Sequence, residues 1–360
     1  MKKQLSILDG MRGVAAIMVV YFHLLQAHFP ASSENPLHHA FLAVDFFFLM
    51  SGFVIGYAYD SRIDNMTVGQ FMKVRLIRLH PLVLLGLVIG ILGYLLDPFV
   101  GNSQSISAFM AILTFVLGFM MLPSPALPNR SGETFSLNGA SWSLFQEYLV
   151  NILYVMMGKK ISNKALMVLV GISSLGILFV AQKFGSLHLG WGWSHIWVAP
   201  IRVVFPFFTG LLLFRMNWKI KIKNAFLILT VLLIVIFFLP NQRMNGLYEA
   251  LCVLIIFPLM IAIAAGSDVS KKSDQVCKYI GQISYPIYIL HYPFIELYSH
   301  WVKSYKPGFA LAAVSMLCLS VFFLLLAILA NKHYDEPVRK WLTTWTKGIK
   351  FKIQLALKLA

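Results

Sequence analysis

Charge is what this sequence has least of. Only 12% of its 360 residues are Asp, Glu, Lys or Arg, about half the share of an ordinary soluble domain. Of these, 14 are acids and 30 are bases. No polar block is long enough to fold as a separate soluble domain, so one membrane-embedded unit is expected. Cysteine is equally scarce. Cys252, Cys277 and Cys318 show no metal-ligand spacing, and two of them fall inside apolar runs, where Cys behaves as a small hydrophobe. A disulfide framework and a metal site both drop out. Nucleic-acid motifs, internal repeats and low-complexity stretches are absent as well. The formal charge of +16 needs no nucleic acid, because bases collect in cytoplasmic loops beside anionic lipid.

What the sequence does have is long apolar runs. Hydrophobic residues make up 59% of the chain, and mean hydropathy is +0.75. Apolar segments run over roughly 7–27, 38–59, 76–96, 105–122, 138–157, 164–182, 196–216, 224–239, 246–266, 282–302 and 308–331, most of them long enough to span a bilayer. An N-terminal signal peptide is not expected, since Asp9 and Arg12 interrupt the first run and no small-residue cleavage site follows.

The positive-inside rule orients these runs. Lys2 and Lys3 place the N-terminus inside, and Arg62, Lys73, Arg75 and Arg78 place the turn at 60–78 inside. Lys159, Lys160 and Lys164, then Lys219, Lys221 and Lys223, then Lys271, Lys272 and Lys278, and finally the C-terminal bases also read as inside. Residues 97 and 138 then both lie outside, so segment 105–122 enters and leaves on one side. The expected fold is an all-α polytopic transmembrane bundle of about ten spans plus one re-entrant segment. Its membrane domain covers 1–337, and a basic interfacial cytoplasmic tail covers 338–360.

Within the apolar runs, polar groups are expensive and mark function. Arg12 and His23 lie eleven residues apart, which places them on one helix face roughly 16 Å apart. Ser6-Ile-Leu-Asp9 has the form of a capping box, with Asp9 also in reach of Arg12. Asp45 opens the second run on the His23 side and could orient that imidazole, or merely cap the interface. Arg75 and Arg78 sit one turn apart at a helix end. Guanidinium suits phosphate, although taken alone the pair reads as a positive-inside anchor. In Ser141-Trp-Ser-Leu-Phe-Gln-Glu-Tyr148, Ser143 and Glu147 share a face, and Glu147 needs a partner from Arg12, Arg75 or Arg78. Trp191 and Trp193, with His188 and His195, read as an interfacial belt, or less readily as a sugar-stacking surface. His291 falls inside a late apolar run as a second polar contact.

Taken together, Leu8–His23, Val44–Ile55, Arg75–Pro81, Ser141–Tyr148 and Ser284–Pro293, with the closing His333-Tyr-Asp-Glu-Pro337, resemble the acyltransferase-3 family of bacterial membrane O-acyltransferases. The order matches over nearly the whole chain. One departure is Gln146-Glu147, where the family often carries two acids. The resemblance implies acetyl-CoA or another acyl-CoA as donor, a carbohydrate or glycolipid hydroxyl as acceptor, no metal, and a bacterial inner-membrane location with both termini cytoplasmic. It maps the family's Arg-x10-His onto Arg12 and His23, and its Arg-x-x-Arg onto Arg75 and Arg78. The expected catalytic set is His23, Arg12, Asp45 and Glu147. CoA contacts are expected from Arg75, Arg78 and Arg12, and substrate contacts from Trp142, Ser143 and His291. The competing readings are a proton-coupled transporter, which the intramembrane charges also suit, and a receptor or assembly protein that binds no CoA.

Overall fold

The computed structural model describes residues 5–346, apart from 30, 32–33, 101–105 and 242. Lys2, Lys3 and the tail 347–360 therefore lie outside the described residues. Among the described residues the chain is nearly all helix and contains no strand. In order, the helices are α1 (Ser6–Gln26), α2 (Ala43–Tyr59), α3 (Val68–Leu95), α4 (Ala108–Phe119), α5 (Ser141–Met157), α6 (Asn163–Phe184), α7 (Val198–Arg215), α8 (Ala225–Phe238), α9 (Asn245–Leu251), α10 (Phe257–Gly266), α11 (Lys271–Leu290), α12 (Tyr292–Tyr305) and α13 (Phe309–Ala330). A π-helical turn at Cys252–Ile256 joins α9 to α10. A second, at Asn331–Asp335, extends α13 into a helix that continues to Thr346. No break falls at residue 337.

Seven of these helical stretches are long and apolar enough to cross a membrane. The other apolar runs form shorter or more polar helices. At 12 and 14 residues, α4 and α8 extend only about 18 and 21 Å, against a hydrocarbon core of about 30 Å. The peripheral helices carry exposed apolar side chains, among them Phe109 and Ile112 on α4, Ile172 and Leu175 on α6, Leu227 on α8 and Leu317 on α13. That belt suits a lipid surface.

Inside the bundle, small residues and ion pairs set the packing, because lipid offers no hydrophobic drive between helices. α2 lies against α7 so closely that a Cβ at Gly52 would fall 1.8 Å from the Phe207 carbonyl oxygen. Ion pairs tie both ends of this helix pair: Asp45 to Arg202 at one end and Asp60 to Arg215 at the other. α1 lies against α11, where a Cβ at Gly281 would stand 2.7 Å from Asp9 Cβ. The capping box expected at Ser6–Asp9 does not form. Ser6 instead donates to Asp274 on α11, and Asp9 pairs with Arg12 at 2.7 Å.

The run expected as one span over 282–302 is two helices. Pro293 has no N–H, so it cannot reach back to the Ile289 carbonyl, and Asn138 Nδ2 donates to that oxygen at 2.8 Å instead. The Tyr288 carbonyl accepts from His291 Nδ1 at 2.8 Å. With both carbonyls occupied by side chains, the helix breaks at His291.

α4 doubles back beside α3. Its last residue, Phe119, reaches the ring of His80 near the middle of α3 (centroids 5.2 Å). The following loop returns along α3 until Arg130 sits over the Tyr94 ring at 4.9 Å. The loop is fastened to the 185–197 segment by a Glu133–Gly192 bridge and by Thr134, whose N–H donates to the Trp191 carbonyl at 3.1 Å. A topology reporter fused near Pro128 is expected to read as non-cytoplasmic; cytoplasmic activity there would contradict a re-entrant α4.

Candidate functional site

A cavity of about 410 Å³ opens at the end of the bundle where α1 and α11 begin. Five cations reach its wall: Arg12, Arg75, Arg78, Lys278 and Arg339. Four of them have a carboxylate. Arg12 pairs with Asp9 at 2.7 Å and donates from Nε to Ser284 Oγ at 3.1 Å. Arg75 pairs with Glu147 at 2.9 Å. Lys278 pairs with Asp274, and Arg339 with Asp335 at 3.0 Å. Arg78 makes no ion pair among the described residues, although Asp335, itself paired with Arg339, lies near enough to act on it. It faces the open cavity with the guanidinium groups of Arg12, Arg75 and Arg339 close enough to act on it. The carboxylates on this wall are held by the other cations, so Arg78 is the guanidinium left to meet an anion, and guanidinium favours oxyanions such as phosphate.

Local structure explains this convergence. Arg75 and Arg78 are one turn apart on α3. The π turn at Asn331–Asp335 carries Asp335 and Arg339 to the same wall, in the manner of π-bulges at functional sites. Glu147 is held three ways: by Arg75, by Asn151 Nδ2 at 3.0 Å and by Ser51 Oγ, which also donates to it. Glu147 thus fixes the orientation of Arg75 and leaves Arg78 as the free guanidinium.

The cavity ends at Ser143 and Tyr288, whose hydroxyls hydrogen-bond at 2.7 Å. Beyond them lie His291 and His23, with ring centroids 5.5 Å apart. His23 Nδ1 is 3.1 Å from Gln26 Oε1, which accepts its proton. Nε2 of His23 is thereby left with the lone pair. His291 is buried, and its Nδ1 is committed to backbone carbonyls. Its Nε2 is buried and has no hydrogen-bond partner. Tyr292 stands against both imidazoles, 5.1 Å from His23 and 6.0 Å from His291 between centroids, and it donates to Glu133. Burial, with Glu296 nearby, pushes the loop carboxyl of Glu133 well above the ordinary range.

The structure brings Arg12, Arg75, Arg78, Glu147 and Ser143 onto one cavity, and it sets His23 beside His291 behind that cavity. It separates Asp45 from this group. Asp45 is fully buried and holds Arg202 through both carboxylate oxygens, so it does not orient His23. A two-point pairing with guanidinium outcompetes a single hydrogen bond to imidazole. Trp142 is buried under that same guanidinium, 5.3 Å from its ring. Arg202, Glu133, Tyr288 and Tyr292 do not stand out in the sequence. Arg202 carried a usable signal, being a cation within an apolar run; the other three depend on long-range packing. Among the described residues no cluster of potential metal ligands occurs.

Comparison with known proteins identifies the family. The family model described as an acyltransferase domain (Acyl_transf_3) matches residues 5–332. "Protein 2 in picA locus" of Rhizobium radiobacter is 32% identical over 49% of this chain and 95% of its own length. Acyltransferase MdmB of Streptomyces mycarofaciens is 26% identical over 91% of this chain and 89% of its own. A Staphylococcus aureus (strain COL) protein, named provisionally as an O-acetyltransferase, is 22% identical over 92% of this chain but only 57% of its own length. No solved structure matches.

The two arginines of α3 should separate cleanly in stability. Arg75→Ala strands the buried Glu147 and is expected to cost about 3–5 kcal/mol, read as a lower melting temperature in detergent. Arg78→Ala should leave that temperature unchanged within the scale of surface substitutions, about 0.5 kcal/mol. Equal losses would show that Arg78 has a structural partner.

Proposed function

The chain belongs to the acyltransferase-3 family, and we propose that it transfers an acyl group, acetyl in the first instance, from acyl-CoA to a hydroxyl of a cell-envelope or exported glycan or glycoside. The observation that carries this reading is the unpaired Arg78 among three other guanidinium groups on an open cavity. The relatives named as acyltransferases support the reaction class, and the provisionally named O-acetyltransferase supports acetyl.

In this reading Arg78, with Arg12 and Arg75 beside it, holds CoA phosphates at a cytoplasmic mouth, and the pantetheine arm runs inward. The chain lies in a bacterial inner membrane, and the acceptor approaches from the opposite face, where the polar loop and Tyr292 stand. His23 Nε2 takes the hydroxyl proton as that oxygen attacks the thioester carbonyl. The carbon–sulfur bond breaks, and the proton passes to the departing thiolate, giving an ester and free CoA. General base catalysis is typically worth 10²–10⁴-fold. Glu147 acts through Arg75, and Asp45 acts through Arg202; both are positioning residues.

Mass spectrometry of cell-envelope glycans with and without this protein is the test. The protein should add the mass of one acyl group, and His23→Ala should abolish that addition while the protein remains in the membrane. Undiminished acylation in His23→Ala would overturn the role of His23, and identical glycan masses would overturn the acceptor class.

A further inference from the structure

The cation-lined cavity and the histidine pair are not continuous. Neither His23 nor His291 lines the cavity, which stops at Tyr288 and Ser143. Tyr288 is nearly buried at 9% exposure. Its ring stands edge-on to Phe47 (centroids 5.5 Å) on one side and 6.1 Å from His291 on the other. Tyr288 thus stands on the cavity wall with its ring beside His291.

The ring is held at both ends. Its hydroxyl hydrogen-bonds to Ser143 Oγ at 2.7 Å, and Ser143 donates in turn to the Ala140 carbonyl at 3.1 Å. Its own carbonyl is pinned by His291 Nδ1 at the helix break. A side chain tied at the hydroxyl and at the backbone makes a fixed constriction, not a swinging lid. Apolar side chains surround the approach, including Val44, Phe48 and Leu144. They suit a hydrocarbon chain and exclude charge. Beyond the ring, the partnerless Nε2 of His291 is a buried acceptor, which in native structures calls for a donor. An acceptor hydroxyl supplies one.

We propose that Tyr288, held by Ser143, is the residue that limits acyl-chain length by closing the passage between the cation-lined cavity and the histidine pair. The inference rests on the acyl-CoA reading and narrows its donor to short acyl groups. A short acyl group fits beside the ring, and each added methylene must displace it. Pockets discriminate by about 10–200-fold per methylene.

The test uses membrane vesicles carrying the full chain, supplied separately with acetyl-, butanoyl- and octanoyl-CoA labelled in the acyl group. Label transferred to envelope material is counted. The wild type should favour acetyl over butanoyl by at least about tenfold. Tyr288→Ala should narrow that ratio by at least about tenfold, and Tyr288→Leu should do so in part. Tyr288→Phe keeps the ring but loses the tie to Ser143, and should narrow the ratio less than Tyr288→Ala does. If Tyr288→Ala fails to fold, Tyr288→Leu alone decides, through the same ratio. An unchanged ratio in a variant that still transfers acetyl overturns the inference and leaves the acyltransferase reading standing. A wild type that transfers label from none of the three donors overturns both.

Discussion

A charge buried within a membrane must find its opposite, and in this protein nearly every one does. Asp45 meets Arg202, Asp60 meets Arg215, Glu147 meets Arg75, and Asp9 meets Arg12. The first three join segments that must stay in register, and the fourth lies within α1. The first two clamp both ends of α2 and α7 across a contact so close that only glycine fits at position 52. Breaking such a pair leaves an uncompensated charge, so the pairs specify one arrangement of helices even where their net contribution to stability is small. Against that pattern Arg78 stands out, among the described residues, as a guanidinium on the cavity wall without an ion pair. The acids on the same wall pair with the other cations, and this guanidinium is left open to the cavity.

The molecule is thereby divided along the length of α1 and α11. One end gathers Arg12, Arg75, Arg78 and Arg339 about a cavity, and the other holds His23, His291 and Tyr292 against a polar loop. α1 reaches both, with Arg12 in the first zone and His23 in the second. α11 reaches both as well, carrying Ser284 beside Arg12 and Tyr288 beside His291. These two helices pack together along their length, so the distance from cation to imidazole is set by rigid elements and not by loops. Such mounting is what a reaction needing a fixed distance between donor phosphate and reacting carbonyl requires.

Much of this was legible in the residues. A cation and an imidazole eleven positions apart in an apolar run predict a shared helix face, and α1 presents them at its two ends. Glu147 needed a cation and found Arg75, one of the three that the sequence offers. Periodicity fails where the answer depends on a distant partner. Nothing local to Asp45 reveals that Arg202, 157 positions later, will claim it. The apolar run 282–302 looks continuous because Pro293 sits in an otherwise helical pattern. The break is made by Asn138 and by the His291 side chain, which occupy the carbonyls. The partnering of Tyr292 with Glu133 likewise depends on a loop that doubles back from α4 and leaves no periodic trace.

Binding of donor fragments to the purified protein tests the central claim most directly. Acetyl-CoA and S-acetylpantetheine share the thioester and the arm and differ in the phosphates. Charge-assisted hydrogen bonds are worth about 1.5–3 kcal/mol each, and about 1.4 kcal/mol is tenfold in affinity. With two such contacts, calorimetry should show acetyl-CoA binding at least about 100-fold more tightly than S-acetylpantetheine. Arg78→Ala should erase much of that difference. Equal affinity of the wild type for the two compounds would contradict the account, because the unpaired guanidinium would then have no phosphate to hold.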